Sequence, residues 1–124
     1  MTEQTEQEQF QQAKDMMRAV HEDKCATING RDYNITNINH AKRRKVFAFF
    51  SRIQNDLQRG DFWWLESEEW QSVEKVIEDV VTFNGSLLSR INNHWDNYPN
   101  DYLIFVQTML GAISYPFLPE SDGS

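Results

Sequence analysis

Histidine, cysteine and clustered carboxylates are the residues of this chain that could do acid-base or metal chemistry, and their spacing argues against both. The histidines are His21, His40 and His94, and the nearest thing to a catalytic pair is His94-Trp95-Asp96. Neighbouring positions on a helix point in different directions, so Asp96 cannot orient His94 as a triad carboxylate orients its base. Glu66, Glu68, Glu69, Glu74, Glu78 and Asp79 match neither a calcium loop nor the Glu-x-x-His pattern of di-iron bundles, and read as a solvated acidic face. Cys25 is the single cysteine, which rules out an internal disulfide and suits a reducing cytoplasm. No glycine-rich phosphate loop, nucleophile elbow or Cys-x-x-Cys is present. The expectation is a protein that is not an enzyme, with no catalytic residue, no metal and no cofactor.

Binding chemistry is better represented. Lys42, Arg43, Arg44 and Lys45 form the one basic cluster. At the start of a helix four cations face the positive end of the helix dipole, so a counter-charge is expected to meet them. Phe47 and Phe49 differ in direction by about 160° on a helix of 3.6 residues per turn, so one packing layer cannot bury both. The adjacent pair Trp63-Trp64 poses the same problem. Phe47, Phe49, Trp63 and Trp64 are therefore candidates for an apolar surface that receives a partner helix or a second subunit. The opposing expectation is that the hairpin and the N-terminal helix cover them, because small cores recruit every apolar residue.

The elements that must position these groups are mostly helical. Phe10, Ala13, Met16, Met17 and Val20 recur at helical spacing between Glu3 and Lys24. The period then changes around Ala26-Thr27-Ile28-Asn29-Gly30-Arg31-Asp32-Tyr33-Asn34-Ile35-Thr36, where Asn-Gly between alternating β-formers predicts a hairpin with a type I′ turn. A lone ribbon is marginal, so it must pack on helices or gain a strand. The chain from about Asn39 to Arg59 reads as the central helix, stopped by Gly60. Asp61 to Leu65 reads as a connection folded onto the bundle. A helix capped by Ser67 carries Trp70, Val73, Val76, Ile77, Val80 and Val81 as its buried stripe until Asn84-Gly85 ends it. A shorter helical stretch carries Leu87, Leu88, Ile91 and Trp95, and the last helix runs from about Asp101 to Ile113. Two prolines, Pro116 and Pro119, enforce an extended path beyond it. The predicted fold class is mainly α: one domain over residues 1–124, a helical bundle of four to five helices with one β-hairpin near residues 26–36, flexible at 1–9 and 119–124. Its expected core is Phe50, Ile53, Leu57, Trp70, Val73, Ile77, Val80, Ile91, Val106 and Leu110.

At 124 residues, 40% apolar and 25% charged, the composition is that of an ordinary globular domain, and no window approaches the ~20 apolar residues of a membrane span. Residues 1–9 are acidic and polar where a secretory signal would be basic and then apolar. The expected location is the cytoplasm, away from any membrane. The charge of −7 is split: residues 1–59 carry ten cationic against eight acidic side chains, and residues 60–124 two against eleven. Such an acidic surface repels phosphates, disfavours nucleic acid, and favours a basic protein partner or a second copy of the chain, giving a homo-oligomer held partly by charge.

A short acidic chain with an Ile-Asn-Gly-x-x-Tyr hairpin (Ile28, Asn29, Gly30, Tyr33), then an aromatic-rich helical body and a short apolar tail, resembles the small tail assembly chaperones of long-tailed bacteriophages. The resemblance spans roughly Ala26 to Leu118, and the helix ahead of the hairpin departs from it. It implies a non-enzymatic, mostly helical phage or prophage protein of the host cell cytoplasm that binds apolar helical segments of the tape measure protein during tail morphogenesis. It assigns no role to any residue position by position. The alternatives are a small phage regulatory or nucleic-acid-associated protein using the basic cluster 42–45, and an enzyme built around His94 and the carboxylates.

Overall fold

The computed structural model describes residues 6–118, with side chains from residue 11 on. Helix α1 (Glu6–Asp23) leads into strands β1 (Cys25–Ile28) and β2 (Arg31–Ile35); α2 (His40–Arg59) and α3 (Glu68–Glu78) follow. Strands β3 (Val81–Phe83) and β4 (Ser86–Leu87), a one-turn helix α4 (His94–Asn97) and α5 (Pro99–Ser114) complete the chain. The fold is mainly α, as the sequence predicts, with five helices and one small antiparallel sheet among the described residues. The flexibility expected at residues 1–5 and 119–124 lies outside the described residues, and residues 6–9 are already helical. The side chain of Phe10, expected in the α1 stripe, also lies outside them.

Asn29 and Gly30 take φ of 51° and 82°, the pair of positive values that a type I′ turn requires, and β1 pairs with β2 from Cys25↔Asn34 to Ile28↔Arg31. The ribbon gains the support it needs from a second hairpin. Asn84 and Gly85 repeat the turn at φ 53° and 84°, and β3 joins β2 through Tyr33↔Phe83 to Ile35↔Val81. The sheet order is therefore β1-β2-β3-β4. This corrects two helical readings, the one that carried the Ser67 helix on to Asn84-Gly85 and the one over Leu87 to Trp95: α3 stops at Glu78, Leu87 lies in β4, Leu88 opens a 3-10 turn, Ile91 follows that turn and Trp95 lies in α4. Val80 and Val81 are buried as expected, but Val80 sits in the turn after α3 and Val81 in strand β3, whose extended backbone serves a β-branched residue better than a helix does.

Helix ends follow local chemistry. Asn39 accepts from the Lys42 N–H at 2.9 Å to open α2, and Ser67 accepts from the Trp70 N–H at 3.0 Å to open α3. The central helix, however, is α5 and not α2. Phe105, Val106, Met109, Leu110, Ala112 and Ile113 are all buried, covering more than one face. α1 can lie against α5 because position 111 is glycine: a Cβ there would stand 2.8 Å from Met17 Cγ. His21 packs on Tyr115 with ring centroids 5.6 Å apart, so α1 and α5 run in the same direction. Of the expected core, Leu57 and Ile91 are only partly buried and pack against it; the other eight are buried. Beyond α5, Tyr115–Phe117 form a 3-10 turn instead of the extended path expected from the prolines. Proline at the second position of that turn suits its φ.

Candidate functional site

The most concentrated polar chemistry in the described structure is where the first hairpin meets the start of α5. Asp101, in the first turn of α5, has no solvent exposure. Its carboxylate accepts from Asn29 Nδ2 at 2.7 Å, from Arg31 Nε at 2.7 Å and Nη2 at 3.0 Å, and from the Tyr33 hydroxyl at 2.7 Å. The turn explains the convergence: Asn29 and Arg31 flank Gly30, and Tyr33 is two positions further on the same face of β2. The Arg31 guanidinium also lies 4.2 Å from the Tyr98 ring centroid. The Arg31 pair holds the Asp101 carboxyl far below the usual carboxylate range, with Asn29 and Tyr33 adding to it against the opposing effect of burial. Burial, reinforced by the adjacent Asp101 charge, raises the Tyr33 phenol well above its ordinary value. At neutral pH the pair is a carboxylate and a neutral phenol.

The next link is His94, whose Nε2 lies 2.9 Å from the Tyr33 oxygen. An ionised carboxylate only accepts, so the one phenolic proton belongs to Asp101. The Tyr33 oxygen can then only accept from His94, which places a proton on Nε2. Burial lowers the pKa of His94, so the ring is neutral at pH 7 and its Nδ1 is unprotonated. Asp101 thus fixes a tautomer two hydrogen bonds away. Among the described residues no donor reaches Nδ1. The ring meets Trp95 and Phe83 edge-on, with centroids 4.6 Å and 4.7 Å away, and lies tilted against Tyr98 at 5.0 Å.

His94 borders a cleft of about 250 Å³ lined also by Glu78, Leu88, Ile91, Asn93, Trp95 and Asp96. Glu78 accepts from the Trp95 indole N–H at 3.1 Å. Burial raises the Glu78 pKa; the Trp95 bond opposes the rise, and the charges of Glu74 and Asp79 add to it. Beside the cleft, Tyr102 donates to Glu74 and accepts from the Trp70 indole at 3.1 Å. Among the described residues no group of three or more His, Cys, Asp or Glu could hold a metal ion.

The residues singled out by sequence fall elsewhere and do not form one surface. Phe49 and Trp64 are core, 3% and 0% exposed, packed on each other at 5.6 Å, so neither is available to a partner. Phe47 points away from them, as helical geometry demands, and is half-buried under Phe117 at 5.4 Å. Phe117, in the C-terminal turn, supplies cover that was expected from the hairpin and α1. Trp63 alone is open, 65% exposed, with its indole N–H donating to Asp56 at 3.0 Å. In the basic cluster Arg43 donates to the Ile113 carbonyl at 2.7 Å at the C-terminal end of α5, and Lys45 to Ser72 Oγ. The counter-charge met by Arg43 is a helix C-terminus. Lys42 and Arg44 are exposed.

Sequence reasoning placed no role on Asn29, Arg31, Tyr33 or Asp101. The Asn-Gly turn signalled where two of them would sit, but nothing in the chain marks that position 101 lies under that turn. No family model, curated protein or solved structure matches this chain. No helix among the described residues is long and apolar enough to cross a membrane.

Proposed function

We propose that this protein is a non-enzymatic assembly factor that binds an apolar helical segment of a protein partner, as phage tail assembly chaperones bind the tape measure protein, with Trp63 at the centre of the contact. The observation that carries the reading is the exposure of Trp63, 65%, on a side chain anchored by Asp56, which Arg59 also pairs. A large aromatic presented in a fixed orientation loses little entropy on binding, and such residues dominate contact energies. The groups that resemble catalysts support the same reading, because the Tyr33 hydroxyl donates to the Asp101 carboxylate and accepts from His94 Nε2, which ties these groups to one another inside the fold. The alternative, nucleic acid binding through the basic cluster, retains only Lys42 and Arg44 as uncommitted cations, too few for strong phosphate binding.

Co-expression with a long helical tape measure protein tests the reading. A stable complex is expected, weakened by roughly 1 to 3 kcal/mol in Trp63→Ala with the fold intact. Absence of a complex, or one indifferent to Trp63, refutes it; salt-sensitive binding to nucleic acid would favour the alternative.

A further inference from the structure

We propose that the cleft beside His94 receives a single alkylammonium or guanidinium group, the end of a lysine or arginine side chain brought by a protein partner. Its volume, about 250 Å³, is below the ~300 Å³ at which small-molecule pockets begin and suits one long side chain. The lining divides in the way such a side chain does. Leu88, Ile91 and the Trp95 ring offer apolar contact to an aliphatic stem. Glu78, Asp96 and His94 Nδ1 offer only acceptors to a head group made only of donors.

Three features make the cleft a site and not a dent in an acidic surface. First, His94 is 5% exposed, and its Nδ1, with no donor among the described residues, is an accessible acceptor on a ring that lines the cleft. Second, that acceptor cannot be removed by a tautomer change without breaking the bond to Tyr33, so Arg31 and Asp101 hold it in place from the far side of the ring. Third, Glu78 accepts one hydrogen bond, from Trp95, and stands near Glu74 and Asp79, and its charge has no counterion among the described residues. No Lys or Arg lines the cleft. Anionic ligands would meet like charge. The assignment of a protein partner rests on the proposed function, whereas the chemistry of the cleft does not.

The test therefore uses free cations and no partner. Full-length ¹⁵N-labelled protein is titrated with n-butylammonium and n-butylguanidinium chloride, with n-butanol as the neutral isostere and sodium chloride at matched ionic strength. Saturable shifts of the His94 ring nitrogens and the Trp95 indole are expected with either cation, with Kd on the order of millimolar, and at least about tenfold weaker in Glu78→Gln. Shifts reproduced by butanol or by salt alone, no saturable shift, or an unchanged Kd in Glu78→Gln would each overturn the proposal. Failure here leaves the Trp63 contact untouched, and failure of the co-expression experiment leaves the cleft untouched.

Discussion

Replacing Asp101 by Asn tests the buried chain at its anchor. The carboxylate accepts four hydrogen bonds, two of them from a guanidinium. The amide keeps one acceptor oxygen and turns an NH2 toward the donors that faced the other. Removing one partner of a buried ion pair costs about 3 to 5 kcal/mol, and each unsatisfied buried donor about 1 to 3 kcal/mol. The Arg31 side chain is 31% exposed, so water recovers part of its loss. Tyr33 recovers part as well by donating to His94 instead, provided the histidine proton moves from Nε2 to Nδ1. The expected net loss is about 2 to 4 kcal/mol at pH 7, read by urea unfolding, with the tautomer change read from the His94 ring nitrogens. The pH dependence has a definite sign. The Asp101 pKa is depressed in the folded protein, so its contribution is complete above the unfolded value of about 4 and is lost as pH falls toward the folded one. The gap between wild type and Asp101→Asn therefore narrows below pH ~4. Equal stabilities at pH 7, a gap unchanged in acid, or a wild-type His94 protonated on Nδ1 would refute the reasoning.

Five other substitutions probe different parts of the argument. Trp64→Ala should cost about 3 to 5 kcal/mol in chemical unfolding, whereas Trp63→Ala should change stability by less than about 1 kcal/mol, since one ring fills the core and the other faces water. Gly85→Val should destabilise by roughly 1 to 2 kcal/mol, as should Gly30→Val, because a β-branched residue resists the positive φ of both turns; unchanged thermal midpoints would mean the turns are not type I′. Glu78→Gln should raise the thermal midpoint at pH 7 and have no effect in acid, since a carboxyl whose folded pKa is raised contributes stability below its unfolded pKa and loses it as pH rises through the folded one. A lower midpoint at pH 7 would show that Glu78 has a counterion within the chain.

Much of the fold is legible in the sequence, and where it is not the reason is physical. Ser67, the stop at Gly60 and the Asn29-Gly30 turn are local signals, and each acts where the residues place it. Asn84-Gly85 is the same dipeptide, yet Val80 to Phe83 continue the apolar spacing of α3 and hide the change to extended backbone. Phe47 and Phe49 do require two layers, but only the folded chain shows that Phe117 supplies the second. His94 and Asp96 do not pair, as helical geometry predicts. What the sequence conceals is that the groups His94 answers to are Tyr33 and Asp101, on other elements and joined by tertiary contact alone.

The sheet has a consequence for the order of folding. Each hairpin closes over two residues and can form within ~1 to 10 μs, but β2 and β3 meet only after residues 36–80, which include α2 and α3, have been looped out. The central ladder is thus the long-range closure that the two fast units must wait for. Its amides at Asn34, Thr36 and Thr82, which face across the β2–β3 seam, belong to the slowest-exchanging set, opening only with the whole domain, whereas the edge pair of β3 and β4 can open alone.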